Sequence, residues 1–407
     1  MRCSSPTTVL LLLLCLCLPA VVHADITSAS VIPVSLKAGA VTDVVVTFTS
    51  GVDVEVSGSV LVEFPAGFHI SSGTTVAVTT AGSTTTLSVA SVSSTQLSVL
   101  VGTTKILAGV AFGCSVTDVT NPGAQTTSDF ELSTYDSSNT LLERNTAISG
   151  VVIAITTLPG ATVAPDSLNA GVTGTATVAF TSAVRLPVGS KIEVTFPSDF
   201  TVASLTLSSA SNIDSSSTVA TSSSVVTVTI AGSAVTAGSS VSFKLDGVTN
   251  PGAKTTGTFV VATTDSSSKI FQQATGVSAA TIVSTTLTDV SVGVDNDIAG
   301  VVSSYSVDFK MNVGIPVGGY VVLLVPTDYS LSGSISLVDS QVSTTWTGVL
   351  DGQSIKFKTL TSYSAGQHSV QVEFLENPGK LSAVRCIIRK VSYSSICCCR
   401  SIYHRVI

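Results

Sequence analysis

Three neighbouring residues, Asp295, Asn296 and Asp297, carry the side-chain oxygens in this sequence best suited to holding a cation. Carboxylate and amide oxygens are the ligands that Ca²⁺ prefers, and here they lie near the start of a repeated unit. Aligned by sequence, the preceding unit has Ser167–Asn169 in this place, which is not acidic. We therefore predict either a calcium site or a solvated turn at 295–297, and no other metal site.

The histidines do not form a recognisable acid–base or nucleophilic set. After residue 24 they are His69, His368 and His404, and each lies in a different part of the chain. His69 has no equivalent in the other units, so we interpret it as a surface residue. Paired carboxylates of the glycosidase kind meet only in space, and nothing in their spacing favours them. We expect no catalytic residue, no cofactor and no enzymatic activity.

The first 24 residues have the features of a signal peptide. Arg2 supplies a positive charge, Val9–Leu18 is an apolar run, and small residues precede a cleavage position before Asp25. No other stretch approaches the roughly 20 apolar residues of a membrane-spanning helix. The sequence predicts a secreted, extracellular protein that is not inserted in a membrane.

Cysteine usage and charge restrict the class of protein further. Cys114 is the one cysteine between residues 25 and 380, so the chain is not a disulfide scaffold and we predict that this thiol is buried. Only 11% of residues are charged and the formal net charge is −7. An acidic, aromatic-poor protein lacks the clustered Lys and Arg that nucleic acid requires. Nucleic acid is therefore excluded as a partner.

Long segments of the sequence recur at a nearly fixed spacing, which identifies tandem units. Val119–Phe130 returns almost unchanged as Val248–Phe259, 129 residues later, and Leu375–Gly379 is a partial third copy. A second motif recurs as Glu63–Phe68, Thr195–Phe200 and Leu324–Tyr329, and a third as Ala38-Gly39, Ala170-Gly171 and Ala299-Gly300. The predicted organisation is a signal peptide (1–24), two units (25–156 and 157–284), an incomplete third unit (285–380) and a tail (381–407).

Within the second unit, apolar and polar residues alternate with a period of two, which is typical of strands with one wet face. Each run ends in turn residues, and none shows a helical period. The sequence predicts an all-β protein of tandem antiparallel, immunoglobulin-like β-sandwich repeats of about 129 residues. The alternating runs are Ala176–Phe180, Lys191–Phe196, Val226–Ile230, Val241–Leu245 and Thr258–Ala262.

The recurring Asn-Pro-Gly at Asn121, Asn250 and Asn377 favours a turn over a ligand-presenting loop. Proline presets φ, glycine accepts a positive φ, and asparagine bonds its own backbone. In the Phe-Pro motif we predict that Phe64 and Phe196 fill the core, while the prolines that follow them end their strands.

The Val-Thr-Asn-Pro-Gly and Phe-Pro-x-x-Phe repeats of 25–380 resemble the tandem immunoglobulin-like sandwiches of secreted and cell-surface adhesion or stalk proteins. The resemblance is architectural and implies a structural or adhesive protein, a spacer or binding stalk whose partner is an extracellular protein or glycan. One alternative is a carbohydrate-binding module, for which Trp346 is the obvious platform. The other is an N-terminal fragment of a larger exported enzyme.

The tail departs from the repeat where a final strand is due. Residues 381–407 contain five basic residues, no acidic residue and three adjacent cysteines, Cys397–Cys399. We predict that this tail is an aberrant terminus, with a basic, Cys-rich attachment tail as the alternative. If the tail is aberrant, the third unit lacks its last strand and leaves the neighbouring edge open.

Overall fold

The computed structural model describes residues 25–81, 83–315, 319–327, 330–331, 336–339, 345–359, 362–376, 384–392, 395–396 and 402–404. These residues form strands and turns without a helix, which confirms the predicted all-β class. Among them, accordingly, no helix is long and apolar enough to cross a bilayer. The predicted signal peptide and Cys397–Cys399 lie outside the described residues.

The first predicted unit forms two antiparallel sheets. Its strands are Thr27–Pro33 (β1), Val41–Thr49 (β2), Ser59–Glu63 (β3), His69–Ile70 (β4), Val76–Val78 (β5), Leu87–Val92 (β6), Gln96–Val101 (β7), Ala111–Thr120 (β8), Gln125–Thr126 (β9), Phe130–Tyr135 (β10), Leu141–Ile148 (β11) and Val152–Ile153 (β12). One sheet has the order β1-β2-β8-β4, with β5 also on β8, and the other has the order β11-β10-β3-β7-β6. β9 and β12 form a short two-stranded sheet.

The second predicted unit repeats this arrangement. Its strands are Thr156–Thr157 (β13), Thr162–Pro165 (β14), Thr173–Thr181 (β15), Lys191–Thr195 (β16), Thr206–Ser211 (β17), Thr218–Ser222 (β18), Val225–Thr229 (β19), Ser240–Thr249 (β20), Lys254–Thr255 (β21), Phe259–Thr264 (β22), Ile270–Val277 (β23) and Thr281–Ile282 (β24). The sheet orders are β14-β15-β20-β17 and β13-β23-β22-β16-β19-β18. They match the first unit with two differences: β13 is added at one edge, and an isolated bridge between Thr201 and Thr249 takes the place of β4.

The third predicted unit keeps the same neighbours but joins its two halves. Its strands are Thr288–Val294 (β25), Val302–Met311 (β26), Tyr320–Leu324 (β27), Ser330–Leu331 (β28), Ser336–Asp339 (β29), Thr345–Asp351 (β30), Ser354–Lys358 (β31), Gly366–Glu376 (β32), Val384–Ser392 (β33), Ser395–Ile396 (β34) and Ile402–His404 (β35). They run β25-β26-β32-β29-β30-β31-β27-β33-β34, because β29 pairs with β30.

The tail supplies a strand where an open edge was expected. β33 pairs antiparallel with β27, with Tyr320 opposite Val391 and Leu324 opposite Ile387. β22 occupies the same place beside β16, where Lys191 lies opposite Thr264. The edge of β27 is therefore paired, since Val384–Ser392 extends far enough to span it.

Alternating side chains from the two sheets of the first unit meet in one core. Val46 and Phe48 of β2 pack in the same buried cluster as Val62 of β3 and Leu97 of β7. The alternation is visible in the burial of β15 and β16, where every second residue is buried. Burying apolar surface stabilises a fold by about 25 cal/mol per Å². The buried side chains of these alternating strands are therefore the main source of stability of the sandwich.

Phenylalanines from the Phe-Pro motif fill the core, as predicted. Phe64, Phe68 and Phe130 form a triad with ring centroids 5.5–5.7 Å apart. The second unit repeats the triad with Phe196, Phe200 and Phe259 at 5.4–5.7 Å. The prolines that follow Phe64 and Phe196 stand just beyond the ends of β3 and β16.

The chain folds into two compact units, each with most of its contacts within itself, and their boundaries differ from those of the three predicted segments. Of the described residues, one comprises 25–36, Val41–Pro122 and Thr126–Ile153, and the other comprises Lys37–Ala40, Gly123–Gln125 and the described residues from 154 onward. The second compact unit therefore holds the second and third predicted segments together with two short loops from the first.

Candidate functional site

The predicted cation ligands at 295–297 lie in an exposed turn after β25. Asn296 Oδ1 accepts a hydrogen bond from the Ile298 backbone N–H at 2.9 Å, so this oxygen is used within the turn. The described residues contain no group of three or more His, Cys, Asp or Glu that could hold a metal. Calcium binding here stays a prediction, while the turn itself is part of the structure.

The structure corrects the sequence alignment of this turn. The Asp295 N–H donates to Ser304 O at 3.0 Å, and the Asp166 N–H donates to Thr175 O at 2.9 Å in the preceding unit. Asp295 therefore corresponds to Asp166, which is acidic, and not to the Ser167–Asn169 stretch. The sequence alignment was displaced by one position, since the 129-residue spacing of Ala170-Gly171 and Ala299-Gly300 already places Asp295 opposite Asp166.

Asp166 is held by a cation and two hydroxyls. Lys244 Nζ lies 2.7 Å from its carboxylate, Thr177 donates at 3.0 Å, and Thr175 donates a further short hydrogen bond. These contacts, the Lys244 bond first, lower the pKa of Asp166 to about 2. Asp166 is therefore an ionised carboxylate whose charge is balanced by Lys244, and it is not a candidate general acid.

The recurring asparagines of the Asn-Pro-Gly motif have a role that the sequence did not indicate. Asn121 Nδ2 donates to Ser35 O at 2.6 Å, and Asn250 Nδ2 donates to Ser167 O at 2.6 Å. Both side chains are nearly fully buried. Each amide was predicted to bond its own turn, but these bonds go to a distant loop: they tie the end of β8 or β20 to the loop that follows the first strand of the unit.

Glycine in this motif serves close approach and not a positive φ. Gly123 and Gly252 are absent from the residues with positive φ, which corrects the predicted turn geometry. A Cβ on Gly123 would instead lie 2.8 Å from Lys269 O and in contact with the Lys269 side chain. Next to it, the Ala124 N–H donates to Ile270 O at 2.7 Å. Only glycine allows the two backbones to lie this close.

A second glycine makes the same kind of contact within the second compact unit. A Cβ on Gly39 would lie 2.9 Å from Phe271 Cδ1 and 3.0 Å from Val184 Cγ2. Val184 and Phe271 are 5% and 7% exposed. Gly171 lies similarly close to Val313, which follows Val184 by 129 residues, at 2.9 Å from Cβ to Cγ1. The repeated Ala-Gly loop therefore seats on an apolar face of a following segment.

This apolar face, formed by Val184 and Phe271, is fixed from beneath by a buried amide. Gln272 is fully buried, and its Oε1 accepts the Ala183 N–H at 2.7 Å while Nε2 donates to Ser182 Oγ at 3.1 Å. In the first unit Glu143 holds the corresponding loop, accepting from Gly51 N–H at 2.8 Å and from Ser50 Oγ. Sequence reasoning missed both residues, because their partners lie about 90 residues away.

The segment that links the first two predicted units is hydrogen-bonded along its length. The Ala38 N–H donates to Ala154 O at 2.8 Å, and the Thr156 hydroxyl donates to Ala38 O at 3.1 Å. β13 then pairs in parallel with β23, and the Leu158 N–H donates to Gln273 O at 3.1 Å. Residues 154–158 are thus a paired segment and not an open linker.

The remaining residues singled out by sequence lie apart from one another. His69 is exposed in β4, as predicted, whereas His368 is buried and stacked on Tyr363 with ring centroids 4.1 Å apart. Burial raises the pKa of the Cys114 thiol to about 12, which confirms its interpretation as a core residue. Trp346 lies in β30 opposite Leu337, and its side chain is outside the described residues.

Two clefts in the second unit are lined mainly by small side chains. One cleft of about 420 Å³ lies beside Phe200 and is otherwise lined mainly by serine, threonine and alanine. A second, of about 220 Å³, lies beside Asp214. Neither brings together two groups that could exchange a proton, so the paired loops and the faces that receive them are the most elaborated feature of the described residues.

No family model and no curated protein matches the chain. It is similar to the C-terminal domain of the Streptococcus pyogenes antigen I/II-family protein AspA, at 10% identity over 61% of this chain and 99% of that one, with a TM-score of 0.23. It is also similar to the Streptococcus agalactiae AgI/II polypeptide BspA C-terminal domain, at 10% identity over 60% of this chain and 98% of that one, with a TM-score of 0.23. A putative membrane anchored protein from Corynebacterium diphtheriae matches at 11% identity over 90% of this chain and 88% of that one, with a TM-score of 0.20. At these TM-scores the fold assignment rests on the strand pairing of this chain.

Proposed function

We propose that this protein is a non-enzymatic extracellular repeat protein that acts as a spacer or binding stalk. The observation that carries the proposal is the paired linker at 154–158, which bonds to Ala38 on one side and to Gln273 on the other. A spacer needs connections that resist bending, and a linker that is hydrogen-bonded at Ala154, paired with β23 at Thr156 and Thr157 and bonded again at Leu158 has little conformational freedom.

The repetition of one sheet order supports the same proposal. Three predicted segments use matching neighbours around β2–β8, β15–β20 and β26–β32. Units that stack on their neighbours extend a protein by simple addition, as in other repeat proteins. The predicted signal peptide supports an extracellular location, and an exposed surface rich in serine and threonine is compatible with a protein or glycan partner.

The proposal is tested by inserting Gly-Ser-Gly-Ser between Ile155 and Thr156. The insertion places four flexible residues between Ala154, which is bonded to Ala38, and Leu158, which is bonded to Gln273, so that the two bonds no longer fix one continuous segment. We expect small-angle X-ray scattering of the variant to show a broader distribution of dimensions than the unmodified protein. The matched control carries the same insertion between Ser137 and Ser138, at the tip of the β10–β11 turn, and keeps the narrow distribution.

A contradictory result is equally clear. If the unmodified protein already scatters as freely jointed units, and the insertion after Ile155 changes nothing, the paired linker does not stiffen the chain. The spacer proposal then fails, even though the individual sandwiches keep their strand pairing.

A further inference from the structure

The Ala-Gly loop occurs three times with the same backbone conformation but with different surroundings. Gly39, Gly171 and Gly300 have φ angles of +68°, +70° and +74°. The first two lie against Val184, Phe271 and Val313, as described above. Among the described residues, nothing lies within 4 Å of a Cβ built on Gly300.

Burial of the loop follows the same trend. Ala38 and Gly39 are buried, Ala170 and Gly171 are half-buried, and Ala299 and Gly300 are exposed. Beside Gly300 stands Ile298, 60% exposed, so the third loop presents an apolar side chain to solvent. The third loop has the backbone conformation of the two packed loops, but in the described part of the chain its Gly300 packs against no apolar face.

The first unit presents the complementary feature, a face of the kind that receives such a loop. Val52 and Leu142 correspond to Val184 and Phe271 by the repeat spacing, and both are only half-buried. The loop that carries Val52 is held in place by Glu143 through Ser50 and Gly51, as Gln272 holds the loop before Val184. This face is therefore preformed.

We propose that copies of this chain associate end to end, with the Ile298–Val302 loop of one copy seated on the Val52 and Leu142 face of another. The occupant is a second copy because the chain already uses this loop and this face on each other twice. Loop and face are different surfaces, so the contact is heterologous and propagates into open chains of copies instead of closing into a dimer. The proposal does not depend on the spacer function.

Association between copies is weaker than the same contact within a chain. In the chain, the covalent connection provides a high effective concentration, whereas separate copies also lose translational and rotational freedom. We therefore expect reversible association that grows with protein concentration and does not produce one fixed oligomer.

The test uses sedimentation velocity on the full chain purified after secretion, over a wide concentration range. We expect the weight-average sedimentation coefficient to rise with concentration. Gly300→Asn keeps the positive φ accessible but adds a side chain at the point of closest approach, and weakens association by about tenfold or more. The matched control, Gly352→Asn, lies in the β30–β31 turn, where φ is +59° and nothing described lies within 4 Å. It associates like the unmodified protein.

A mixing experiment separates this contact from nonspecific aggregation. Val52→Asp damages the face and leaves the Gly300 loop intact, while Gly300→Asn leaves the face intact. At concentrations where the unmodified protein associates, each variant alone associates at least about tenfold more weakly, and an equimolar mixture forms a heterodimer that grows no further. The proposal is overturned by a protein that is monomeric at every concentration, by association that Gly300→Asn does not weaken, or by a mixture that stays monomeric. Circular dichroism of both variants shows whether they are folded.

Discussion

The first and second segments build matching sheets from different core side chains, and the differences compensate one another. Opposite Val46 and Phe48 the first segment places Cys114 and Phe112. At the equivalent positions the second places Phe243 and Val241, opposite Val178 and Phe180. The small Cys114 of β8 corresponds to the large Phe243 of β20, and the large Phe112 corresponds to the smaller Val241. The sandwich therefore constrains the total volume of the layer more tightly than the residue at any one position.

The polar support beneath the apolar face differs in chemistry. Gln272 accepts from Ala183 N–H and also donates to Ser182 and to Thr263 Oγ1, the latter at 3.1 Å. Glu143 only accepts, and the Thr134 hydroxyl, the counterpart of Thr263, has no hydrogen-bond partner among the described residues. The first segment therefore leaves one buried hydroxyl unsatisfied that the second segment satisfies.

Removing the most deeply buried ring of each aromatic triad should cause the largest loss of stability, and the loss should be equal in the two segments. Phe130→Ala and Phe259→Ala each delete a fully buried ring, at a cost of about 3–5 kcal/mol in the free energy of unfolding. Urea denaturation followed by hydrogen exchange of peptides from β10 and β22 measures the two losses separately. A large loss in one segment and almost none in the other would break the equivalence of the triads.

Exchanging the core pair tests the volume argument. Cys114→Phe in the first segment crowds a layer that already contains Phe112, and we expect a loss of about 1–3 kcal/mol. Adding Phe112→Val recreates the pair of the second segment and should recover most of that loss. The double-mutant cycle is measured by urea denaturation. Additive losses, without recovery, would show that the two positions do not share one volume.

Exchanging the buried polar residues tests the unsatisfied hydroxyl. Glu143→Gln provides a donor for Thr134, so we expect stabilisation by about 1 kcal/mol. The reciprocal Gln272→Glu removes the donor to Thr263 and should destabilise by a similar amount. Thermal unfolding of both variants checks the opposite signs. Destabilisation by Glu143→Gln would contradict the proposed deficit.

The smallest effect is expected at Asp166. Its ion-pair partner, Lys244, is replaced by an uncharged residue in the third segment. Because the folded-state pKa is lowered to about 2, the stabilisation is present above about pH 4 and is lost as pH falls toward 2. Asp166 and Lys244 are each 38% exposed, so solvent screening limits the contribution to about 0.5 kcal/mol. Asp166→Asn should therefore flatten the acid limb of the stability–pH curve slightly. Gln371 stands where Lys244 would be, so Lys244→Gln gives the second segment the uncharged side chain of the third and should reduce the same contribution.

Strand positions and core phenylalanines were predictable because alternation and strand-ending prolines are local signals. The five strands predicted in the second segment are present as parts of β15, β16, β19, β20 and β22. β17 and β18 were missed, since their serine- and threonine-rich sequences carry little contrast between faces.

The features of the candidate site depend on contacts between distant residues, and this limited what sequence could reveal. The bonds of Asn121 to Ser35 and of Glu143 to Ser50 span about 90 residues. Nothing local distinguishes Gly39, which is seated, from Gly300, which is not. The buried His368 was also missed, because its neighbours in sequence are polar and its strand resembles an exposed one.

The pairing of β2 with β8 recurs in the same register between β15 and β20. Amide hydrogen exchange by mass spectrometry tests it most directly, because protection follows strand pairing. We expect β8 and β20, each paired on both sides, to exchange slowly and to the same extent at positions 129 residues apart. Strong protection in one of these strands with rapid exchange in the other would contradict it.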